Sequence, residues 1–249
     1  MMNFLIFGAS GGIGLALVEK CIQAGDSVTA ITRKQSDKLQ QLKQANPAQI
    51  TIIQAEVSDW QASLTHQLDT LFQAHGLPDI VINTIGLLHD KTAIAELMPE
   101  KRLQEVRFDF FQQNMTVNCF TCLLITQYLS RLYRNQDKFC FTALSALVGS
   151  ISENTSGGWY SYRMSKAALH MFIKTLSIEW KRLYPNATVL AVHPGTTDTP
   201  LSQPFQANID KDKLYSPAET AKRIINIVKN AEPSQSGCFL FWDGTPKDW

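Results

Sequence analysis

The chain has 249 residues, 45% of them hydrophobic and only 18% charged, with a formal net charge of +1. That length suits one large domain with a sizeable core, and a near-neutral balance with no basic cluster argues against nucleic acid as a partner. A charged fraction below the roughly 25% usual in soluble domains leaves apolar surface to bury between subunits, so a homo-oligomer, dimer or tetramer, is expected.

The opening Met1–Val18 is apolar and uncharged, but it lacks a basic leader and four glycines interrupt it, so it does not read as a signal peptide. Inside it Asn3–Phe7 predicts a strand, followed by a glycine loop and a helix from about Gly12 to Ala24. Gly25-Asp26 turns the chain into a second strand, Ser27–Thr32. Ser36–Asn46 reads as a helix stopped by Pro47, Ile50–Gln54 as a third strand, Trp60–His75 as a helix, and Asp79–Asn83 as a fourth strand opening on Gly86. Leu87–Gln104 is irregular and polar, and is expected to lie over the surface. Phe110–Ser130 carries no charge and is long enough for a bilayer. Yet Gln112, Gln113, Asn114, Asn118 and Gln127 interrupt it, and each would need a partner in lipid. A helix over about Phe110–Leu132, buried against protein, accounts for it better, so no membrane is expected as a partner. Cys119 and Cys122 have redox-motif spacing, but mid-helix they are better explained by packing.

Phe139–Leu144 predicts a fifth strand, and Gly157-Gly158 precedes a long helix whose Leu169, Phe172, Leu176, Trp180 and Leu183 form one apolar stripe. Thr188–Val192 is a sixth strand ending at Pro194-Gly195, Pro217–Asn230 a last helix, and Cys238–Trp242 a seventh strand. No linker, repeat or low-complexity run divides residues 1–249. Alternating strands and helices imply parallel strands joined by crossover helices. The expectation is an α/β, Rossmann-like doubly wound domain, a seven-stranded parallel sheet with helices on both faces and the site at the C-terminal strand ends. Five cysteines, an odd number lying mostly in apolar runs, suit reduced thiols and a cytoplasmic location.

Gly8-Ala9-Ser10-Gly11-Gly12-Ile13-Gly14 links the first strand to the first helix. A pyrophosphate can approach backbone N–H groups at a helix N-terminus only where side chains are absent. Gly8 makes the turn, Gly12 admits the close approach and Gly14 lets helix pack on strand; Ser10 and Ile13 complete the candidate contacts. At the end of the second strand an acid would bind the 2′-hydroxyl of NAD and a base the 2′-phosphate of NADP. Here Thr32-Arg33-Lys34 has no acid until Asp37, and Arg33 suits a phosphate, so NADP(H) is favoured over NAD(H).

Tyr162 and Lys166 lie four residues apart, on one helical face. A phenol near pKa 10 yields its proton reluctantly at neutral pH, and a neighbouring ammonium is expected to lower that value. Such a phenol can protonate an alkoxide or deprotonate an alcohol. Tyr160 has no lysine at that spacing.

With these residues the sequence resembles the short-chain dehydrogenase/reductase family along its whole length. The motifs fall in that family's order: the glycine loop, Glu56-Val57-Ser58-Asp59, Asn83-Thr84-Ile85-Gly86, Val117-Asn118, a serine after the fifth strand, Tyr162-x-x-x-Lys166 and Pro194-Gly195. Gly86-Leu87-Leu88-His89, Gly157-Gly158-Trp159-Tyr160, His193-Pro194-Gly195-Thr196 and Trp242-Asp243-Gly244 look like the branch holding C-factor-like proteins and small carbonyl reductases. The resemblance implies Tyr162 as general acid/base and Lys166 as the group lowering its pKa and holding the nicotinamide ribose. It implies Asn118 bending the fourth helix around a proton-relaying water, Glu56 and Val57 flanking the adenine, and Asn83 and Gly86 beside its ribose. Thr197 and Thr199, after Pro194, would bind the carboxamide.

The chain departs from that pattern at two places. The family's carbonyl-orienting serine is usually the second of a Ser-Ser pair, and this chain has Ser145-Ala146. Ser145 is the favoured donor through a one-residue shift; Ser150 reaching in from the loop, or no donor at all, are the alternatives. Phe7 stands where a threonine is common, removing a hydrogen bond that would brace the turn. The leading expectation is an NADPH-dependent reductase of a small carbonyl compound, hydrophobic if Leu87, Leu88, Leu147, Trp159 and Phe205 line its site. A weakly active or non-enzymatic cofactor-binding regulator is the alternative. A nucleotide-sugar epimerase or dehydratase ranks last, because no room remains for a substrate domain.

Overall fold

Runs of Val, Ile, Phe and Thr flanked by turns build a sheet whose central strands are apolar on both faces, as parallel strands covered by helices must be. The structure, a computed structural model, describes residues 1–90 and 97–249. In chain order it holds β1 (Asn3–Phe7), α1 (Gly12–Gln23), β2 (Ser27–Thr32), α2 (Asp37–Ala45), β3 (Ile50–Gln54), α3 (Ala62–His75) and β4 (Ile80–Asn83). Next come α4 (Phe108–Met115), a π-helical turn Thr116–Phe120, α5 (Thr121–Leu132), β5 (Cys140–Leu144), α6 (Tyr160–Leu183) and β6 (Thr188–Val192). The chain closes with β7 (Thr196–Thr197), β8 (Leu214–Tyr215), α7 (Pro217–Lys229), β9 (Cys238–Leu240) and β10 (Pro246–Lys247).

The sheet order is β3-β2-β1-β4-β5-β6-β9-β10, with seven strands parallel and the two-residue β10 antiparallel to β9. The doubly wound parallel sheet of the sequence reading is therefore present, with one short strand added at its edge. Two-residue β7 and β8 form a separate ladder. None of these three strands has enough residues to show a period. Chain order reverses between β1 and β4, and the crevice outside the strand ends at such a point is where doubly wound sheets bind ligands.

One core cluster, with Leu68, Phe72, Tyr128, Leu129, Leu169, Ile173 and Trp180, packs α3, α5 and α6 on one face. Another, with Leu17, Val18, Cys21, Ala221 and Ile224, packs α1 and α7 on the other. Most of the uncharged Phe110–Ser130 stretch is buried or half-buried within the chain, while Gln112, Gln113, Phe120 and Gln127 are exposed. Among the described residues no helix is long and apolar enough to cross a membrane. All five cysteines are free. Burial pushes the Cys122 thiol up to about 12 and raises Cys119, which disfavours their thiolates and leaves packing as the role of this pair.

The loop after β4 departs from expectation. Residues 91–96 of the span expected over the surface lie outside the described residues, but Leu97 and Glu100 are buried. Glu100 is drawn in because its carboxylate accepts hydrogen bonds from Ser161 at the start of α6.

Candidate active site

The carboxyl ends of β1, β4, β5 and β6 open on a cavity of about 360 Å³ lined by Ile13, Thr84, Gly86, Ser145, Ala146, Tyr162, Lys166, His193, Pro194, Thr197 and Thr199, among others. A second cavity, about 270 Å³, opens at the opposite ends of β1 and β2 beside Asn3, Ser27 and His75, and its described lining brings no tyrosine–lysine pair together.

The glycine turn is built for close approach. Gly8 has φ +83°, and a Cβ on Gly14 would meet the Gly8 carbonyl oxygen at 2.2 Å. Gly12 stands opposite the Thr199 methyl, so the loops after β1 and β6 face one another here. Gly11 begins α1 with no side-chain cap and no acid follows in the first turn, leaving those N–H groups available to an anion. Phe7 costs the turn nothing: Thr84 Oγ1 donates to the Phe7 carbonyl at 2.8 Å and lies 3.2 Å from that of Gly8. Ser10 is half-buried on the same turn. These features fit a dinucleotide pyrophosphate.

At the ends of β2 and β3, Arg33 Nη1 lies 3.8 Å from Glu56 Oε2 with its side chain 74% exposed. Glu56 also accepts from the Ser58 amide and hydroxyl, and Val57 is buried. The Asn83 side chain turns inward, donating to Cys122 Sγ at 2.9 Å and accepting from the Ile85 amide. With its side chain so engaged, Asn83 offers its backbone to a nucleotide passing beside it. Thr197 lines the cavity while its hydroxyl pairs with that of Thr220 at 2.9 Å.

Tyr162 and Lys166 both line the cavity, each almost fully buried, with Nζ 5.7 Å from the phenol ring centroid. Nζ donates to the Leu144 carbonyl at 3.0 Å. Burial pushes Lys166 down to about 8 and the Tyr162 phenol up from its ordinary value. The expected lowering of the phenol by the ammonium is therefore corrected: desolvation opposes the phenolate and dominates among the protein's own groups. The phenol stays protonated at neutral pH.

Asn118 sits in the π-helical turn between α4 and α5. Its Oδ1 accepts the Leu87 amide at 2.6 Å, and Nδ2 lies 2.8 Å from the Leu87 carbonyl and 2.9 Å from Ser165 Oγ. It thereby ties the β4 loop to α6 beside the lysine.

Ser145 lines the cavity, whereas Ser150 donates to the Asp248 carbonyl at 2.8 Å and is not among the lining residues, which removes it as an alternative donor. Ser145 Oγ lies 2.7 Å from His170 Nε2. His193, also in the wall, accepts the Leu147 amide at Nδ1 and is pushed down to about 4 by burial. Sequence reasoning passed over His170, although it follows Lys166 by four residues and so shares its helical face. Nothing in the local sequence pointed to Glu100 as the cap of α6. Trp159, the residue before α6, adopts φ +53° and ψ +42°, a strained conformation for a bulky side chain, and packs against Phe205 at 4.9 Å.

The short chain dehydrogenase family pattern matches residues 3–210. The chain belongs to that family. It is 27% identical over 175 residues to the C-signal protein of Myxococcus xanthus, covering 70% of this chain and 94% of that one. It is 36% identical over 106 residues to a 1-hydroxy-2-glutathionyl-2-methyl-3-butene dehydrogenase of Rhodococcus sp. strain AD45, a match spanning 43% of this chain and only 45% of that protein. Among solved structures, the NADPH-bound carbonyl reductase from chicken fatty liver superposes with a TM-score of 0.82 at 22% identity, covering 100% and 99% of the two chains, a likeness of fold.

Proposed function

We propose that the protein is an NADP(H)-dependent reductase of small, hydrophobic carbonyl compounds, acting from this one domain in the cytoplasm. The observation that carries the reading is that the Tyr162–Lys166 pair and the uncapped glycine turn border the same cavity. A chicken carbonyl reductase of the same fold binds NADPH, and the exposed Arg33 can exchange its long contact with Glu56 for a 2′-phosphate. Five free thiols suit a reducing compartment.

In this reading Gly8, Ser10, Gly12, Ile13 and Gly14 hold the pyrophosphate, Arg33, Glu56, Val57, Asn83 and Gly86 the adenosine half, and Pro194, Thr197 and Thr199 the nicotinamide end. When bound, the reduced cofactor supplies the hydride. Tyr162 gives its phenolic proton to the carbonyl oxygen as negative charge develops there. Lys166 places a positive charge beside that phenol and anchors the ribose, and Asn118 holds the β4 loop against them. Ser145 orients the carbonyl oxygen. Leu147, Val148, Trp159, Leu201 and Ile209 make the remaining wall apolar, which favours hydrophobic substrates.

The purified protein is expected to oxidise NADPH with at least one member of a panel of aromatic diketones, quinones and aldehydes. Tyr162→Phe should abolish that turnover and leave NADPH binding within a few-fold. Turnover retained in the variant refutes the assignment. The Ser145-Ala146 departure favours a second reading, a weakly active cofactor-binding regulator; it gains if the whole panel is inert while NADPH still binds.

A further inference from the structure

The hydroxyl assigned to the substrate carbonyl is not free-standing. Ser145 Oγ and His170 Nε2 are 2.7 Å apart, and both residues are buried. The His170 ring is wedged against Phe239 and Trp249, with centroids 4.4 and 4.9 Å away, and Trp249 itself packs on Phe239 at 5.6 Å. The segment carrying Trp249 is pinned in turn, because Ser150 donates to the Asp248 carbonyl and the Ser152 amide to that of Trp249. The ring is thus fixed from behind while Nε2 meets the serine.

Desolvation, with the Lys166 charge adding to it, pushes His170 down to about 3, so the imidazole is neutral and carries one ring proton. Nδ1 is buried and has no hydrogen-bond partner, although the Gly149 backbone favours the charged ring. A buried N–H without a partner is rarer and costlier than an unshared ring lone pair. The proton therefore belongs on Nε2, where Ser145 Oγ accepts it. With its oxygen occupied as acceptor, Ser145 directs its own O–H elsewhere, and the residue borders the cavity.

We propose that His170 is a positioning residue for carbonyl reduction: its Nε2–H holds Ser145 so that the serine hydroxyl donates into the cavity, to the substrate's carbonyl oxygen. The proposal rests on the reductase reading above and explains how Ser145 can serve although its neighbour is Ala146. The histidine touches no substrate; it sets which way one hydrogen points.

Two measurements test it. Nitrogen-15 NMR of the unliganded protein at pH 7, with Tyr162→Phe as a further sample and His170→Gln as the assignment control, should find His170 protonated at Nε2 and bare at Nδ1. A proton on Nδ1 overturns the proposal, because Ser145 would then spend its hydrogen on the ring. In steady-state kinetics with NADPH and benzil, or the panel compound turned over fastest, Ser145→Ala and His170→Leu should each lower kcat on the order of 10²-fold. The NADPH dissociation constant should stay within a few-fold. The double variant should be no slower than Ser145→Ala alone, and His170→Gln, which restores an N–H donor, should recover most of the rate. Multiplied losses in the double variant, or wild-type kcat in His170→Leu, refute the proposal; thermal unfolding of each variant separates misfolding from either result. Wild-type rates in Ser145→Ala alongside a dead Tyr162→Phe sink this inference alone, whereas an active Tyr162→Phe sinks the reductase reading beneath it.

Discussion

The Glu100 carboxylate accepts the Ser161 backbone N–H at 3.1 Å and the Ser161 hydroxyl as well, capping α6 from 61 residues upstream. Trp159, at the cap position itself, offers no side-chain acceptor. The loop after β4 thus sets the helical turn that presents Tyr162. Replacing Glu100 with Ala removes a buried charged acceptor and is expected to cost on the order of 1–3 kcal/mol. Equilibrium denaturation checks this, and a loss below about 0.5 kcal/mol would contradict the capping role.

Arg33 faces Glu56 across 3.8 Å in a largely exposed pair, an interaction of little worth by itself. Exchanging Glu56 for a phosphate would give the guanidinium a better partner. Arg33→Ala is therefore expected to weaken NADPH binding roughly 10-fold or more while leaving NADH nearly unchanged, as one charge-assisted contact is lost. Fluorescence titration with both nucleotides decides it, and equal losses for the two would contradict the role.

Stability should fall on acidification. Burial lowers His170 to about 3 and His193 to about 4, against 6.5 for a free imidazole. Between about pH 6.5 and 4 the unfolded chain binds more protons than the folded one, so unfolding becomes easier as pH drops through that window; above it these groups contribute no slope. The limiting slope is on the order of 1.4 kcal/mol per pH unit for each group. His193→Gln should flatten the curve, which denaturation at pH 7, 5.5 and 4.5 measures; an unchanged slope would show that His193 does not titrate this way.

Met164, Met171 and Ile178 recur every seven residues along α6, with 53%, 68% and 61% of their surface exposed, and Phe120, in the π-helical turn before α5, is exposed as well. A solvent-facing stripe of this kind is costly for a monomer, and it is in keeping with the homo-oligomer expected from the sequence. Light scattering should report a dimer or larger, and Met171→Glu with Ile178→Asp should shift it toward the monomer. A monomeric wild-type protein at micromolar concentration would refute the assembly.

Strands rich in Val and Ile, and glycines placed between strand and helix, carried the architecture and the pyrophosphate turn in the sequence because both signals are local. Tyr162 and Lys166 were legible for the same reason: one helical turn separates them. What escaped was long-range or a balance of opposing effects. The Glu100 cap joins segments 61 residues apart, and Ser145 meets His170 across 25 residues. The phenol's shift was read with the wrong sign because spacing reveals the neighbouring cation but not how deeply the ring is buried.

Thr84 braces a turn that belongs to another strand, and Phe7 is free to fill the core beside Trp60, 6.3 Å away between ring centroids. Tolerance to change at these two positions is therefore coupled. Thr84→Val should be harmful in this background, yet harmless in a homologue whose first strand carries its own hydroxyl. Grafting that hydroxyl onto position 7 here would hollow out the interior on the order of 3–5 kcal/mol before it restored any brace. A change at either position is felt at the other, although 77 residues separate them in the chain.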